Sequence, residues 1–289
     1  MSDDYLSGDA GDVTNPWRRA KRAAGEVAFA AIDRATLVGR RADAVAGATP
    51  PRRVLVAGVY RPGSLLAEAL GGLRSQRHDV RFAFGATAAA EPALLGHTVA
   101  ERLRGGKFEN LNRVLAAAGS GDAAAAAPDF DWLLVVDDDL RVPARFLDRF
   151  VGLCERFQLD LAQPAQSQRS HSAWRVTRRR PASLVRETRF VEIGPLTAFG
   201  RRAAEALLPF PNLRFGWGLD LHWAALAAER GWRLGVIDAT PVRHETATVG
   251  SSYRTEDARA EAAGYLANRP YLPAEQAGEV LATHRRGVR

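Results

Sequence analysis

The chain has 289 residues, 46% hydrophobic and 25% charged, proportions of a soluble globular protein with room for one large α/β domain or two small ones. Its apolar runs fall short of the roughly 20 residues that cross a bilayer, and a single cysteine, Cys154, excludes an intrachain disulfide and suits a reducing cytoplasm. A net charge of +7 would suit nucleic acid, a phosphorylated substrate or an anionic membrane face, but no RNA-binding, DNA-reading or Cys/His zinc pattern accompanies it, so nucleic acid is not the expected partner.

Residues 1–15 are polar and acidic without periodicity, which predicts disorder and argues against a signal peptide. Residues 16–50 carry a helical pattern in which Trp17, Ala24, Val27, Ala31, Leu37 and Val38 alternate with arginines. Such a helix either packs on its own domain or lies as a basic amphipathic helix on the inner membrane face. From Arg53 the pattern changes, and residues 51–254 read as one domain. RVLVAGVY is a buried strand, SLLAEALGGLRSQ a helix, VRFAFGA a second strand, and 109–118 a helix ahead of the Ala-rich linker GSGDAAAAAPD. DWLLVV is a third strand, followed by the helix ARFLDRFVGLCERFQ. The Arg-rich stretch 169–189 has no period and is expected to be a mobile loop, a candidate lid. A helix running to Glu229 is closed by Gly231, WRLGVID is a further strand, and 255–289 forms a tail with a helix over 255–267. Strands alternating with helices imply an α/β, doubly wound, mostly parallel sheet.

The segment DWLLVVDDD ends a buried strand in three carboxylates. On an extended chain Asp137 and Asp139 point one way and Asp138 the other. Acids at the carboxyl end of a core strand face the crevice where open α/β sheets bind ligands, and hard oxygens there suit Mg²⁺ or Mn²⁺. An acidic turn after a strand would read the same way. Three further signals follow one order along the chain. Lys107 and Asn112 lie in GGKFENLN, Asp220 follows Gly216, Trp217 and Gly218 in GWGLD, and His244 lies in VRHE. Each has a plainer role open to it: a solvated lysine, a helix cap, a structural histidine.

Taken in this order, the segments resemble the GT-A fold of nucleotide-sugar-dependent glycosyltransferases and are similar to family 2. The resemblance covers roughly residues 52–254 and implies a metal-dependent, inverting transferase acting on a nucleoside-diphosphate sugar and an acceptor hydroxyl of unknown identity. It implies that Gly58, Tyr60 and Arg61 hold the nucleotide, joined by Lys107, Asn112, Asp138, Trp217 and Gly218. It makes Asp137, Asp139 and His244 ligands of Mn²⁺ or Mg²⁺, and Asp220 the catalytic base. Two departures stand out: the strand ending FGATA lacks an acid to read the base, and Leu219 rather than an acid precedes Asp220. The pieces QPA (163–165), FVEIGP (190–195), GWGLD and GVID…VRH are also similar to a plant and bacterial domain of unknown function. A helix N-terminus would lower the pKa of Asp220 and burial would raise it. The rival readings are a haloacid dehalogenase-type phosphotransferase, in which Asp137 would be the nucleophile, and a non-catalytic basic protein that binds nucleic acid or membrane.

Overall fold

Two apolar runs, RVLVAGVY and WLLVV, set the centre of the molecule. In the computed structural model they are the strands β1 (Arg53–Tyr60) and β4 (Trp132–Val136), paired in parallel from Val54 opposite Trp132 to Gly58 opposite Val136. The structure describes residues 16–119, 129–245 and 254–287. The expected disorder of residues 1–15 and most of the Ala-rich linker lie outside them.

β1 is flanked on its other side by β2 (Asp79–Ala86) and then β3 (Thr98–Ala100), all parallel. Beyond β4 the sheet turns mixed. Antiparallel β8 (Leu196–Gly200) is followed by β6 (Leu161–Gln166), β9 (Leu234–His244), β7 (Val185–Thr188) and β10 (Val280–His284). Only β6 and β9 run parallel in that half, and the two-residue β5 (Leu140–Arg141) pairs with the end of β9.

Alternation along β1 and β4 feeds two cores, as expected for strands buried on both faces. Leu55, Ala57, Leu133 and Val135 join one, with Leu111 and Val114 of helix α4 (Lys107–Ala117) and Trp223 of α7 (Leu219–Arg230). Val54, Val56, Leu134 and Val136 join the other, with Leu70 of α3 (Leu66–Leu73) and Phe150 of α5 (Phe146–Arg156). Helices therefore cover both faces, and the α/β, doubly wound reading holds. The remaining described helices are α1 (Pro16–Ala35), α2 (Val38–Ala48), α6 (Arg201–Leu207) and α8 (Thr255–Leu266). Among the described residues no helix is long and apolar enough to cross a membrane.

Two expectations are corrected. The stretch 169–189 is not a loose loop. Ser170, His171, Ser172, Ala173 and Trp174 are buried, residues 185–188 form the sheet strand β7, and Arg186 is fully buried against Asp238. Its arginines deprived the sequence of an apolar period, but two of them, Arg179 and Arg186, serve buried ion pairs rather than solvent. The C-terminal segment is likewise more than a helical tail, because β10 closes the sheet edge against β7.

Candidate functional site

Side-chain alternation carries past the end of β4. Asp137 and Asp139 keep the phase of Leu133 and Val135, while Asp138 keeps that of Leu134 and Val136. Asp138 is buried, and its carboxylate accepts from Arg61 N at 2.8 Å, Nε at 3.0 Å and Nη2 at 2.9 Å. Its carbonyl takes the Leu65 N–H at 2.8 Å, so Asp138 fixes the turn that follows β1.

His244 arrives from far along the chain because β9 continues six residues beyond its expected end at Asp238. There it pairs with β5, placing His244 opposite Leu140, directly after the three aspartates. The Glu245 N–H donates to the Asp139 carbonyl at 3.0 Å, and His244 Nε2 lies 3.1 Å from Asp139 Oδ1. One ligand atom from each of Asp137, Asp139 and His244 falls within 4.8 Å of the others, a set that could hold a metal ion. Two carboxylate oxygens and an imidazole nitrogen suit Mn²⁺ and accommodate Mg²⁺.

Lys107, at the start of α4, places Nζ 2.6 Å from Asp137 Oδ1 and donates to the Ile193 carbonyl at 3.1 Å. Ile193 faces the other way too, its N–H donating to the Asp220 carboxylate. A single residue thus connects the metal-capable cluster to Asp220. Gly194 completes the close fit, since a Cβ there would sit 2.8 Å from Asp137 Oδ2.

Asp220 lies in the first turn of α7, and Gly218, at φ 85°, occupies the N-cap position in its place. Gly216 turns with φ 78°, and a Cβ there would overlap the Phe108 ring. The turn is held from outside by Glu261 of α8, whose carboxylate takes the N–H groups of Arg214 at 2.7 Å and of Phe215 and Gly216 at 2.9 Å each.

The electrostatics divide these acids. Burial pushes the Asp220 carboxyl up to about 7, against the lowering by the Leu221 and Ile193 N–H groups. Of the two opposing influences on this residue, burial wins. Burial also raises Asp137, more than Lys107 lowers it. For Asp139 burial acts upward, yet the bond to His244 and the nearby cations leave it below its ordinary value. His244 is raised overall, because Asp139, Asp137 and Glu192 outweigh its own burial.

Sequence reasoning missed Glu192. Burial, then the charge of Asp220, pushes its carboxyl up to about 8, so it is mostly protonated at neutral pH. It is gripped from three sides: Gln166 Nε2 donates to its carboxylate at 2.9 Å, Gln163 Oε1 accepts its N–H at 2.5 Å, and Thr197 Oγ1 donates to its carbonyl at 2.7 Å. A lone acid among apolar neighbours in FVEIGP was the available signal. His171 was missed as well. It stands buried, ring to ring with His244 at 6.1 Å, and burial followed by the His244 charge lowers it to about 4.

Lys107, Asp137, Asp139, Asp220 and His244 are brought together, with Arg61 at the rim through Asp138. Four expected nucleotide contacts have other surroundings. Gly58 lets β1 approach β4, a Cβ there meeting Val136 O at 2.6 Å. Tyr60 is buried with its hydroxyl 2.9 Å from Thr98 Oγ1. Asn112 spends both ends of its amide on the Phe210 backbone, at 2.8 and 3.0 Å. Trp217 is buried in the core beneath α7 rather than presented to a ligand.

No family model and no curated protein matches the chain. Among solved structures it is similar to a crystal structure of GalNAc-T7 with UDP, GalNAc and Mn²⁺, at 12% identity and a TM-score of 0.43, over 67% of this chain and 44% of that one. That likeness is too slight to transfer anything of that protein's chemistry, and the chain spans less than half of its length.

Proposed function

We propose that this chain is a metal-dependent inverting glycosyltransferase, moving a sugar from a nucleoside-diphosphate sugar to an acceptor hydroxyl. The observation that carries the reading is the coupling of a metal-capable Asp137–Asp139–His244 set to a buried carboxylate, Asp220, with a pKa of about 7. Mn²⁺ or Mg²⁺ on those three residues would offset the charge that develops on the leaving diphosphate. Lys107 adds a fixed cation beside the same oxygens, and Arg61, braced by Asp138, shapes the turn for the nucleotide. Gly218, at φ 85° and packed against Leu266 of α8, sets the start of the helix that carries Asp220. Asp220 takes the acceptor's proton; a base with a pKa near the working pH is ionised enough to accept it and basic enough to hold it. Glu192, protonated, keeps a second negative charge away from Asp220. We place the enzyme in the cytoplasm, where the buried Cys154 stays a thiol.

The test is a set of nucleoside diphosphates with and without Mn²⁺, read as thermal stabilisation of the wild type and of Asp139→Ala. Ligand binding to the native state raises the melting temperature. The wild type should be stabilised by at least one nucleotide only when Mn²⁺ is present, and Asp139→Ala should lose that response while folding normally. Metal-independent stabilisation, or an unchanged response in Asp139→Ala, would refute the metal assignment. Stabilisation by inorganic phosphate and Mg²⁺ alone would favour phosphotransfer instead.

A further inference from the structure

Helix α1 is built inside out. Its apolar residues Trp17, Ala20, Ala24, Val27, Ala28, Ala31, Ile32 and Ala35 recur at the three- and four-residue spacing that normally faces a core. All of them are exposed here, Val27 at 73% and Ile32 at 40%. The polar face points inward. Glu26 accepts the Gln168 N–H at 2.7 Å and pairs with Arg179, whose Nη2 lies 2.5 Å from Asp33 Oδ2. The Ala182 N–H adds a bond to Asp33 Oδ1 at 2.7 Å.

The charges are sorted in the same way. Residues 16–48 contain seven cations and three acids, Glu26, Asp33 and Asp43. All three acids are turned to the domain, Asp43 pairing with Arg149 at 2.7 Å and Arg145 at 3.1 Å. Arg19, Lys21, Arg34 and Arg40 are left exposed around the apolar stripe, with no acid of the helix pair among them. Two copies meeting on this face would bring cations against cations. An anionic bilayer matches both halves of the pattern, apolar stripe to acyl boundary and cations to headgroups.

We propose that α1 is a docking surface for an anionic phospholipid membrane, held to the catalytic domain by the Arg179 clamp rather than by an apolar interface. Docking would bear on the site, because the clamped segment 168–182 includes Ser170, whose Oγ accepts the His244 N–H at 3.0 Å. The proposal is independent of the chemistry assigned to the metal-capable cluster, and either can fail without the other.

The experiment is co-sedimentation of the full chain, residues 1–15 and their aspartates included, with phosphatidylcholine vesicles with and without phosphatidylglycerol. The chain should pellet with the anionic vesicles alone, and 0.5 M salt should release it, since about that much salt shortens the reach of surface charge to a few ångströms. Val27→Glu/Ile32→Glu, at exposed positions, should weaken binding by about tenfold or more without changing the melting temperature. Arg19→Glu/Lys21→Glu should do so by a similar factor. Equal pelleting with neutral vesicles, none with either, or binding that survives both double variants would overturn the proposal. So would a dimer in light scattering that Val27→Glu/Ile32→Glu dissolves, which would assign the face to a second copy.

Discussion

Two polar networks lie on the same sheet, one fully buried and one half-buried, and they are built to opposite rules. Around Arg186 every charge is answered. Its guanidinium meets both oxygens of Asp238 at 2.8 and 2.9 Å and donates to the carbonyls of Val176 at 2.5 Å and Arg178 at 2.7 Å, and the Arg180 N–H completes Asp238 at 2.9 Å. Both side chains are fully buried. Around Asp137, by contrast, five acids (Asp137, Asp139, Glu192, Asp220 and, behind them, Asp138) face two cations, Lys107 and Arg61, and two histidines, His244 and His171. Two of those acids are driven to about 7 and 8. A closed network stabilises one geometry and does nothing else. An open one keeps proton and metal affinity in reserve, which is why strongly shifted groups gather at functional sites.

The largest expected effect is on the closed network. Arg186→Met leaves Asp238 charged and unpaired in the core and should cost about 3–5 kcal/mol in urea unfolding, whereas the double variant Arg186→Met/Asp238→Leu should recover most of that loss. A loss below about 1 kcal/mol in the single variant would mean that water reaches the pair and the contrast between the networks fails.

Next comes Asp220→Asn in the open network. Asn keeps the size of the side chain, and Gly218 rather than Asp220 holds the cap position, so the fold should be untouched. Turnover, measured once the acceptor is known, should fall by about a hundredfold or more, the scale of general-base catalysis. Near-normal turnover would send the base assignment elsewhere, with Glu192, whose charge couples to that of Asp220, as the alternative acid.

What the sequence made legible follows the same division. β1 and β4 are apolar on both faces, and β2 is so in its second half, so their runs declared themselves, and with them the phase that separates Asp138 from Asp137 and Asp139. The open network was half visible, because Lys107, Asp137, Asp139, Asp220 and His244 sit at strand and helix ends that motifs mark. β6 was hidden by its own composition. LAQPAQ carries two glutamines that reach Glu192 and a proline past the last β8 pair at Ala162, where a missing N–H costs no ladder bond on that flank. β7 and the segment before it looked like a solvated loop because a closed ion network needs the arginines that a period search discounts. Trp217, expected among the nucleotide contacts from its motif, is instead buried in the core beside α7.

The smallest effect is the most diagnostic of the open network. A carboxyl whose folded pKa is raised holds its proton in the native state after the unfolded chain has released it. Stability from such a group is full below the unfolded value, near 4.5 for a glutamate, and is lost as pH rises through the folded value, about 8 for Glu192. Asp220 acts in the same sense between about 3.8 and about 7. The wild type should therefore lose stability steadily from pH 5 to 8. Glu192→Gln keeps the hydrogen-bonding shape and cannot ionise, so its urea midpoint should match the wild type near pH 4 and exceed it modestly at pH 8, with the slope between them flattened. The same variant should leave the acid limb of the rate profile in place, because burial against the Leu221 and Ile193 N–H groups sets the Asp220 carboxyl, and Glu192 still holds its proton where Asp220 titrates. Identical pH slopes in wild type and Glu192→Gln would show that Glu192 is not held protonated, and the reserve of proton affinity that sets this network apart from the Arg186 pair would then rest on Asp220 and Asp137.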